Sequence, residues 1–327
     1  MSENLQSLVN KLSDSLQTDV KAGFIAGGKL SSFSSSEIPQ HFIASTTKTF
    51  TSVIIMKMVE QGEMALDQPV SKWIEGLPEI CHQDVNPENI NVRALLSHTS
   101  GIPDYYRLKS LKPGQVESQT KNDPGWDFQE VIQLTAQLRE SSSNQNRAEY
   151  SGTNYQILEK IIESKYGGYE VALKKFITGP LGLEETFMFR KSSKVTDSIS
   201  ELKYASENYL GHKRLGSLGA EGGLVSSIED TMLFFDSLFS GRIIDGQSLR
   251  ELTSETKKLR FGLRYGAGVM ITSSSIFGEK GLIGHIGATG HFAFYSPKTK
   301  NSFAGTINNF NSPKNLLKLM RNTAKAS

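Results

Sequence analysis

Residues 45–62, STTKTFTSVIIMKMVEQG, contain the strongest helical pattern of the chain and decide how the rest is interpreted. Their apolar residues recur at helical spacing, which predicts a helix over Thr46–Gln61. Ser45 opens the segment and Lys48 follows three residues later, so a helix places both side chains on one face. A serine hydroxyl is weakly nucleophilic until a neighbour takes its proton, and a desolvated lysine amine can do so. The segment therefore predicts a nucleophile and a base at a helix N-terminus, whose free N–H groups favour an oxyanion.

Other residues of the same types have weaker settings. The Ser-x-x-Lys spacing recurs at Ser118–Lys121, in a polar loop, and at Ser254–Lys257, in a charged segment. Neither precedes a long apolar helix, so Ser45 is the preferred nucleophile. The single cysteine, Cys81, excludes an internal disulfide. It gains no base from the adjacent His82, because neighbouring side chains diverge on a helix or strand, and we interpret it as a small buried hydrophobe.

Composition and charge limit the kind of partner. The 327-residue chain is 37% hydrophobic and 21% charged, which is ordinary for a globular protein with a sizeable core. Its formal net charge of +2 gives no electrostatic footprint for nucleic acid. No grouping of His, Asp and Glu has helical metal-ligand spacing, so we expect no metal and no other cofactor. The expected partner is a small-molecule or peptide-like substrate, and the oligomeric state is left open.

Two observations bear on location. The first residues, Met1–Leu5, lack the basic and apolar segments of a signal peptide. No run approaches the roughly 18 apolar residues that a membrane span requires. As written, the chain is expected to be cytoplasmic, or periplasmic or secreted if a leader has been removed.

Apolar patterns along the chain predict strands near both ends and helices between them. Residues 4–16 and Ile228–Phe239 have helical spacing, Leu316 begins a closing helix, and residues 66–211 are mainly helical with loops. A serine-rich loop is expected at Ser31–Ser36. Gly23–Leu30 predicts a strand and a turn. Short apolar runs predict four further strands, the last two joined by a hairpin turn: Ile38–Ala44, Tyr265–Thr272, His291–Ser296 and Ser302–Ile307.

This order of elements predicts an α/β (α+β) fold in which the two termini build a sheet around a helical insert. We assign residues 1–44 and 217–327 to a discontinuous sheet domain and residues 45–216 to a mostly helical domain. The longest loop, Arg107–Trp126, has prolines and glycines among polar residues. A loop of this length is either a functional lid or a disordered segment.

Two further segments carry candidate functional residues. Tyr150–Tyr155 precedes a predicted helix over Gln156–Tyr166, as a loop presenting Tyr150 would. His285–Gly290 leads into the C-terminal strands, where a glycine allows close substrate approach.

In this order the segments resemble the serine β-lactamase and penicillin-binding superfamily, with its Ser-x-x-Lys, Tyr-x-Asn and Lys/His-x-Gly motifs. The branches most similar are class C β-lactamases, DD-peptidases, D-aminopeptidases and related esterases. The resemblance spans roughly residues 40 to 310 and implies a β-lactamase/transpeptidase-like fold, with an antiparallel sheet flanked by terminal helices and the active site at the junction with the helical part. The stretches that carry it are Ser45–Lys48, Tyr150–Gly152, His285–Gly287, Ala94–Pro103 and Glu221–Ser227.

The resemblance also implies a role for each matching residue. Ser45 is the acylated nucleophile, Lys48 and Tyr150 share the base role, and the backbone N–H groups of Ser45 and Ala288 form the oxyanion hole. Gly287 lets the sheet edge approach the substrate. A free tyrosine has a pKa of about 10, so a phenolate base near pH 7 requires a large downward change, for which an adjacent Lys48 ammonium has the right sign. Which of the two holds the proton is left open.

Three residues at the expected substrate-binding positions depart from the usual pattern. Gly152 replaces the asparagine of the motif, and Ile286 replaces a threonine or serine that would bind a substrate carboxylate. His285, in place of lysine, resembles the DD-peptidase and D-aminopeptidase branches and is either neutral or charged. Losing polar contacts to a charged group commonly costs a few kcal/mol. We therefore expect a serine hydrolase of esters or D-amino-acid amides, with weak β-lactamase activity at most.

Two alternatives from other classes remain at this point. Gly152 would permit a scaffold or binding protein that has the fold but no turnover. A pocket shielded by the Arg107–Trp126 loop would favour a transacylase, which passes the acyl group to an alcohol. Neither the natural substrate nor the stereopreference follows from the sequence.

Overall fold

Both ends of the chain contribute to one large antiparallel sheet. The computed structural model describes residues 2–74, 77–108, 125–138, 147–204, 207–210, 213–273 and 281–327. Within these residues the sheet has eight strands in the order β2-β1-β13-β12-β11-β10-β9-β8, and smaller sheets have the orders β3-β7-β4 and β5-β6. The strands are β1 (Lys21–Ala26), β2 (Lys29–Ser34), β3 (His41–Phe42), β4 (Phe187–Met188), β5 (Lys203–Tyr204), β6 (Glu207–Asn208), β7 (Leu224–Ser226), β8 (Lys257–Arg260), β9 (Leu263–Tyr265), β10 (Met270–Thr272), β11 (Ile283–Ile286), β12 (His291–Ser296) and β13 (Asn301–Thr306).

Helices fill the middle of the chain and close both ends. In the described residues they are α1 (Ser2–Leu16), α2 (Thr47–Glu60), α3 (Leu77–Ile80), α4 (Val92–Leu96), α5 (Phe128–Ala136), α6 (Gly152–Tyr166), α7 (Tyr169–Leu173), α8 (Gly179–Leu181), α9 (Gly219–Gly222), α10 (Ile228–Phe239), α11 (Gly246–Thr253) and α12 (Pro313–Ala326). The predicted antiparallel sheet with terminal helices and a mostly helical middle is confirmed. The division into two domains, with boundaries after residues 44 and 216, remains a prediction.

One sequence expectation lies outside the described residues. Residues 109–124 make up most of the Arg107–Trp126 loop, and Ser118–Lys121 lies among them. The lid expectation for this loop is therefore not addressed by the structure.

Alternation along the central strands separates two core layers. In β12, Phe292 and Phe294 pack in the cluster that contains α1 and α12, whereas Ala293 between them packs in the cluster that contains α10. This follows from the two-residue period of a strand, which sends successive side chains to opposite faces. The terminal helices therefore cover one face of the sheet, and α10 with the helical part of the chain covers the other.

Helix α2 is buried on nearly all sides and fixes the position of the residues before it. Thr47–Met56 and Met58 are buried, and they include Lys48 and four hydroxyl residues as well as apolar ones. The ring of Phe50 stacks on Phe234 of α10 with centroids 3.6 Å apart. Helix α2 also contacts α6 and α9. Its N-terminus, next to Ser45, is thereby held between the sheet and the helical part.

The strand and turn predicted over Gly23–Leu30 are present, but the loop predicted after them is wrong. The chain reverses at Gly27 and Gly28, where φ is 57° and 78°. Positive φ at both central residues is the geometry of a tight two-residue hairpin turn. Ser31–Ser36, expected to be a loop, thus supplies most of β2, which pairs with β1 in antiparallel register.

Several other boundaries differ from the predictions. Tyr265–Thr272 is not one strand but the end of β9, a turn and all of β10. The predicted strand at Ile38–Ala44 shrinks to β3, because a 3-10 turn begins at Ala44. Helix α6 begins at Gly152, four residues before the predicted Gln156. The last strands and α10 lie within one residue of their predicted bounds.

Gly287, just after β11, allows two segments of the chain to pack closely. A Cβ atom at this position would lie 2.5 Å from the carbonyl oxygen of Ile43 and 3.1 Å from the Cβ of Ala44. Contacts this short do not occur between a Cβ and a backbone oxygen, so any side chain would push the two segments apart. The glycine admits the backbone that leads to Ser45, and its role in substrate approach remains a prediction.

We predict that Gly287→Ala destabilises the fold by about 1–3 kcal/mol, because the added methyl group overpacks the contact with Ile43. Urea unfolding of both proteins measures the difference. Gly246→Ala is the matched control, since its nearest neighbour, an Arg250 nitrogen, would be 3.6 Å from the new Cβ. That substitution should leave stability unchanged or raise it by up to about 1 kcal/mol. Equal losses in the two variants would contradict the role given to Gly287.

Candidate active site

Ser45 lies in a strained turn directly before α2. The 3-10 turn Ala44–Thr46 contains Ser45, and Ala44 has φ of 44°, in the left-handed region that residues other than glycine rarely adopt. Thr289 donates a hydrogen bond to the carbonyl oxygen of Phe42 at 2.7 Å, which ties the turn after β11 to the residues before Ser45. Backbone strain of this kind persists only where surrounding contacts impose it, and it is common at functional sites.

The amine of Lys48 is buried behind Ser45. Lys48 is 2% exposed, and its Nζ donates a hydrogen bond to the backbone carbonyl of Glu221 at 2.6 Å. Burial lowers the pKa of Lys48 to about 8, although the carboxylates of Glu221 and Asp104 oppose that change. The Nζ atom lies 4.8 Å from the centroid of the Tyr150 ring. Near neutral pH this amine has a free-base fraction that an exposed lysine lacks.

Tyr150 is a protonated phenol in this environment. Its hydroxyl is buried and forms no hydrogen bond with the described residues. Burial raises the pKa of Tyr150 well above its usual value, the carboxylates of Asp104 and Glu221 add to the rise, and the Ser45 hydroxyl opposes it. The sequence expectation was a pKa lowered by the Lys48 ammonium. The direction differs because burial outweighs every charge near the ring.

His98 holds the segment that presents Tyr150. Its backbone carbonyl accepts a hydrogen bond from the N–H of Glu149 at 2.8 Å, and its Nδ1 accepts one from the N–H of Ser151 at 3.2 Å. The two rings of His98 and Tyr150 lie 4.4 Å apart, centroid to centroid. Burial and the charge of Lys48 lower the pKa of His98 well below its usual value, so the imidazole is neutral. These contacts give His98 a structural role.

Glu221 occupies the space that Gly152 leaves open, and sequence reasoning missed it. Its side chain is 4% exposed. The Oε1 atom accepts hydrogen bonds from the hydroxyl of Tyr105 and from Nε2 of Gln156, the latter at 3.0 Å. A Cβ atom at position 152 would lie 1.7 Å from Oε2 of Glu221. The asparagine of the family motif could not fit at this position beside Glu221.

Asp104 flanks Gly152 from the other side. Its Oδ1 accepts hydrogen bonds from the N–H groups of Gly152 and Tyr106, both at 3.2 Å. Burial raises the pKa of Asp104, and it raises the pKa of Glu221 to about 7. The site therefore holds two carboxyl groups close to one amine. The only sequence signal for Glu221 was its place in the family-like stretch Glu221–Ser227, and there was none for Asp104.

One cavity of about 250 Å³ joins these groups. It is lined by the predicted residues Ser45, Lys48, Tyr150, Gly152 and Ala288. Most of the other wall residues are aromatic or apolar, among them Phe42, Tyr106, Leu215 and Phe310. The charged ones are Asp104, Arg214 and Glu221. Such a pocket can bind an apolar group while a few polar side chains orient it.

The remaining predicted substrate-binding residues lie behind the wall. His285 is fully buried; its Nδ1 donates to the carbonyl of Ile286 at 2.9 Å and its Nε2 accepts from the hydroxyl of Tyr265, 3.1 Å away. Burial and the charge of Lys48 lower the pKa of His285 to about 3, so the imidazole is neutral. His285 is not among the residues that line the cavity. Ile286 packs against the core cluster of the sheet. The structure thus differs from the expectation that His285 and Ile286 contact substrate.

Backbone N–H groups of Ser45 and Ala288 remain unused in the part of the chain that the structure describes. Neither group forms a backbone hydrogen bond there, and both residues line the cavity. Two such donors on one cavity wall can stabilise the oxyanion of a tetrahedral intermediate. Elsewhere in the described residues, no cluster of three or more His, Cys, Asp or Glu has the arrangement of a metal site. No helix among them has the length and apolar character to cross a membrane.

The chain combines an antiparallel sheet with a serine directly before the central helix α2 and a buried lysine in the first turn of that helix. The comparison with known families agrees with this arrangement. The Beta-lactamase family model matches residues 40–326, and the chain belongs to this family. It is 25% identical to penicillin-binding protein 4* of Bacillus subtilis (strain 168) over 278 residues, 75% of this chain and 54% of that protein. It is 29% identical to esterase EstB of Burkholderia gladioli over 150 residues, 44% of this chain and 37% of the esterase.

The fold is also similar to a solved structure. The D-amino acid amidase from Ochrobactrum anthropi SV3 superimposes with a TM-score of 0.83 and 23% sequence identity, covering 99% of this chain and 98% of the amidase. The matches to the two curated relatives span about half of their length or less. The solved structure agrees with the fold that the family model implies.

We predict that Ser45 reacts faster with a fluorophosphonate as pH rises, because the neutral form of Lys48 removes its proton. The second-order labelling rate should increase about tenfold per pH unit and level off above about pH 8, the pKa of Lys48. Intact-mass spectrometry of timed samples measures the rate. In Glu221→Gln the midpoint of the labelling-rate profile should move to lower pH. The reason is that the Glu221 carboxylate raises the pKa of Lys48 in the wild-type protein, and the variant lacks it. A midpoint near pH 10 would mean that the amine is not desolvated.

Proposed function

We propose that this protein is a serine hydrolase that cleaves an ester or an amide through an acyl-enzyme on Ser45. The observation that carries the proposal is the meeting of Ser45, Lys48 and Tyr150 in one cavity. An amine with a pKa of about 8 and a phenol with a raised pKa are a base and an acid in the same site. The same burial moves the two pKa values in opposite directions and so distinguishes the acid from the base.

Acylation begins when the Ser45 oxygen attacks the substrate carbonyl carbon and Lys48 takes the hydroxyl proton. The N–H groups of Ser45 and Ala288 stabilise the resulting oxyanion. The bond from carbon to the leaving oxygen or nitrogen then breaks, and Tyr150 protonates the leaving group. The Lys48 ammonium returns a proton to the phenolate, so the amine is neutral again and the acyl group is on Ser45.

Deacylation repeats the sequence with water as the nucleophile. Lys48 takes a proton from water as its oxygen attacks the acyl carbon. The bond to the Ser45 oxygen breaks, and Tyr150 protonates that oxygen before it recovers a proton from Lys48. The products are the carboxylic acid and the free enzyme, and all protons are accounted for.

The wall of the cavity favours an ester or amide substrate over a β-lactam. Penicillins carry a carboxylate, and the carboxyl groups of Asp104 and Glu221 beside Ser45 repel it when they are ionised, although Arg214 also lines the cavity. The likeness to esterase EstB and to a D-amino acid amidase supports the same substrate classes.

Ser45→Ala should abolish the mass increase that a fluorophosphonate produces and should lower turnover by about three orders of magnitude or more. Intact mass and hydrolysis of p-nitrophenyl butyrate measure the two effects. Ser254→Ala is the matched control, because Ser254 has the same Ser-x-x-Lys spacing but ends α11 away from the cavity. A wild-type protein that takes up no probe would instead be a non-catalytic binding protein.

Substrate preference is tested with three chromogenic compounds. We expect kcat/KM for p-nitrophenyl butyrate or for D-alanine p-nitroanilide to exceed that for nitrocefin by about 100-fold or more. The reason is that a repelled or unpaired carboxylate costs a few kcal/mol. Efficient hydrolysis of nitrocefin would rule out this preference and leave the acyl-enzyme mechanism intact.

A further inference from the structure

Two carboxyl groups in the cavity each leave one oxygen without a donor. Glu221 accepts both of its hydrogen bonds through Oε1, and Oε2 has no donor among the described residues. Asp104 likewise accepts two N–H groups through Oδ1, and Oδ2 has none. Both residues line the cavity that contains Ser45. The free oxygens can therefore contact a bound molecule.

The protein does not neutralise these carboxyl groups by direct pairing. The nearby amine of Lys48 donates its hydrogen bond to the backbone carbonyl of Glu221 and not to either carboxylate. Lys48 is partly neutral near pH 7, and Glu221, whose pKa is about 7, is partly protonated there. Arg214 lines the same cavity, so a cationic group placed at the free oxygens would act by favouring the ionised form of Glu221. Burying a carboxylate without a partner is unfavourable, so a cationic ligand would be bound preferentially.

Gly152 shows that this arrangement replaces the usual one. A Cβ atom there would lie 1.7 Å from Glu221 Oε2 and 3.4 Å from Asp104 Oδ1, so a side chain at 152 and the Glu221 carboxylate exclude each other. An asparagine side chain offers a substrate both a donor and an acceptor, whereas an ionised carboxylate only accepts. The exchange therefore changes the chemistry at the position next to Lys48 and Tyr150.

We infer that Glu221, assisted by Asp104, binds a protonated amine on the acyl part of the substrate, close to the scissile carbonyl. The inference rests on the proposed hydrolase function and names the substrate class that this cavity selects. An α-amino acid amide or ester has such an ammonium group one carbon away from the carbonyl. The aromatic part of the wall, including Phe42 and Phe310, then receives the amino-acid side chain.

The test compares two substrates that differ only in the ammonium group: alanine p-nitroanilide, as both enantiomers, and propionyl p-nitroanilide. At pH 7 we expect the preferred alanine enantiomer to have a kcat/KM at least about 100-fold higher. Glu221→Gln should reduce this ratio about tenfold or more, because it removes the charge that pairs with the ammonium. A glutamine Oε1 still accepts the hydrogen bonds from Tyr105 and Gln156. Asp104→Asn should reduce the ratio less.

Glu159→Gln is the matched control for burying a glutamine in place of a glutamate. Glu159 is 3% exposed and accepts the N–H of Ala220 at 2.7 Å, but it pairs with Arg190 and does not line the cavity. The substrate ratio should stay within about twofold of wild type in this variant. Glu221→Gln also changes the pKa of Lys48, but this change affects both substrates equally. It therefore cancels in the ratio of their kcat/KM values. If Glu221→Gln still hydrolyses both substrates and the ratio is unchanged, the inference is overturned and the proposed hydrolase function is not.

Binding to Ser45→Ala separates the inference from the proposed function. Calorimetry with phenylalaninamide, as both enantiomers, and with 3-phenylpropanamide measures the ammonium contribution without any turnover. We expect at least about tenfold tighter binding of one phenylalaninamide enantiomer, and loss of that difference in Ser45→Ala/Glu221→Gln. This result supports the ammonium site even if the wild-type protein hydrolyses nothing. Equal affinities for the amine and its neutral analogue would overturn it.

Discussion

The burial of the Lys48 amine is the constraint on which the rest of the site depends. Taking an ammonium group out of water costs several kcal/mol, and the cost falls when the group is neutral or hydrogen-bonded. Helix α2 places Lys48 under Ser45, and the carbonyl of Glu221 accepts its hydrogen bond. The same burial acts in opposite directions on an amine and a phenol. It lowers the pKa of Lys48 and raises that of Tyr150, and so it separates a base from an acid.

Glu221 connects this amine to the shape of the cavity. Its backbone carbonyl holds Lys48, and its carboxyl group fills the space above Gly152. Because both groups belong to one residue, a change at position 152 is coupled to the position of Lys48. The carboxylate also favours the ammonium form, so it keeps the pKa of Lys48 from falling further. A neutral amide side chain, such as the asparagine of the family motif, would not raise the pKa of Lys48 in this way.

The parts of the fold predicted from sequence are those with long or self-contained patterns. Helix α10 was predicted with its observed bounds, because its apolar spacing covers three turns and Ser227 caps it. Strand β2 was missed because its residues Ser31–Ser34 are serine-rich and resemble a loop. Strand β8, Lys257–Arg260, was not predicted, since it is highly charged. Three of its four side chains are exposed, and only its pairing with β9 makes it a strand.

The site divides in the same way between residues with local signals and residues without them. Ser45 and Tyr150 each precede a helix that local pattern can detect. The direction of His285 depends on which face of β11 meets Tyr265, and a one-residue change of register would reverse it.

Gly152 gives the most informative case. It was noticed as a missing asparagine, but the side chain that fills the space comes from residue 221, far along the chain. The departure from the motif at Gly152 therefore marked where the cavity differs from the family pattern, but not which side chain takes up the space. The reason is physical, since space left by a missing side chain in a close-packed interior is taken up by a neighbour, which here is the carboxyl group of Glu221.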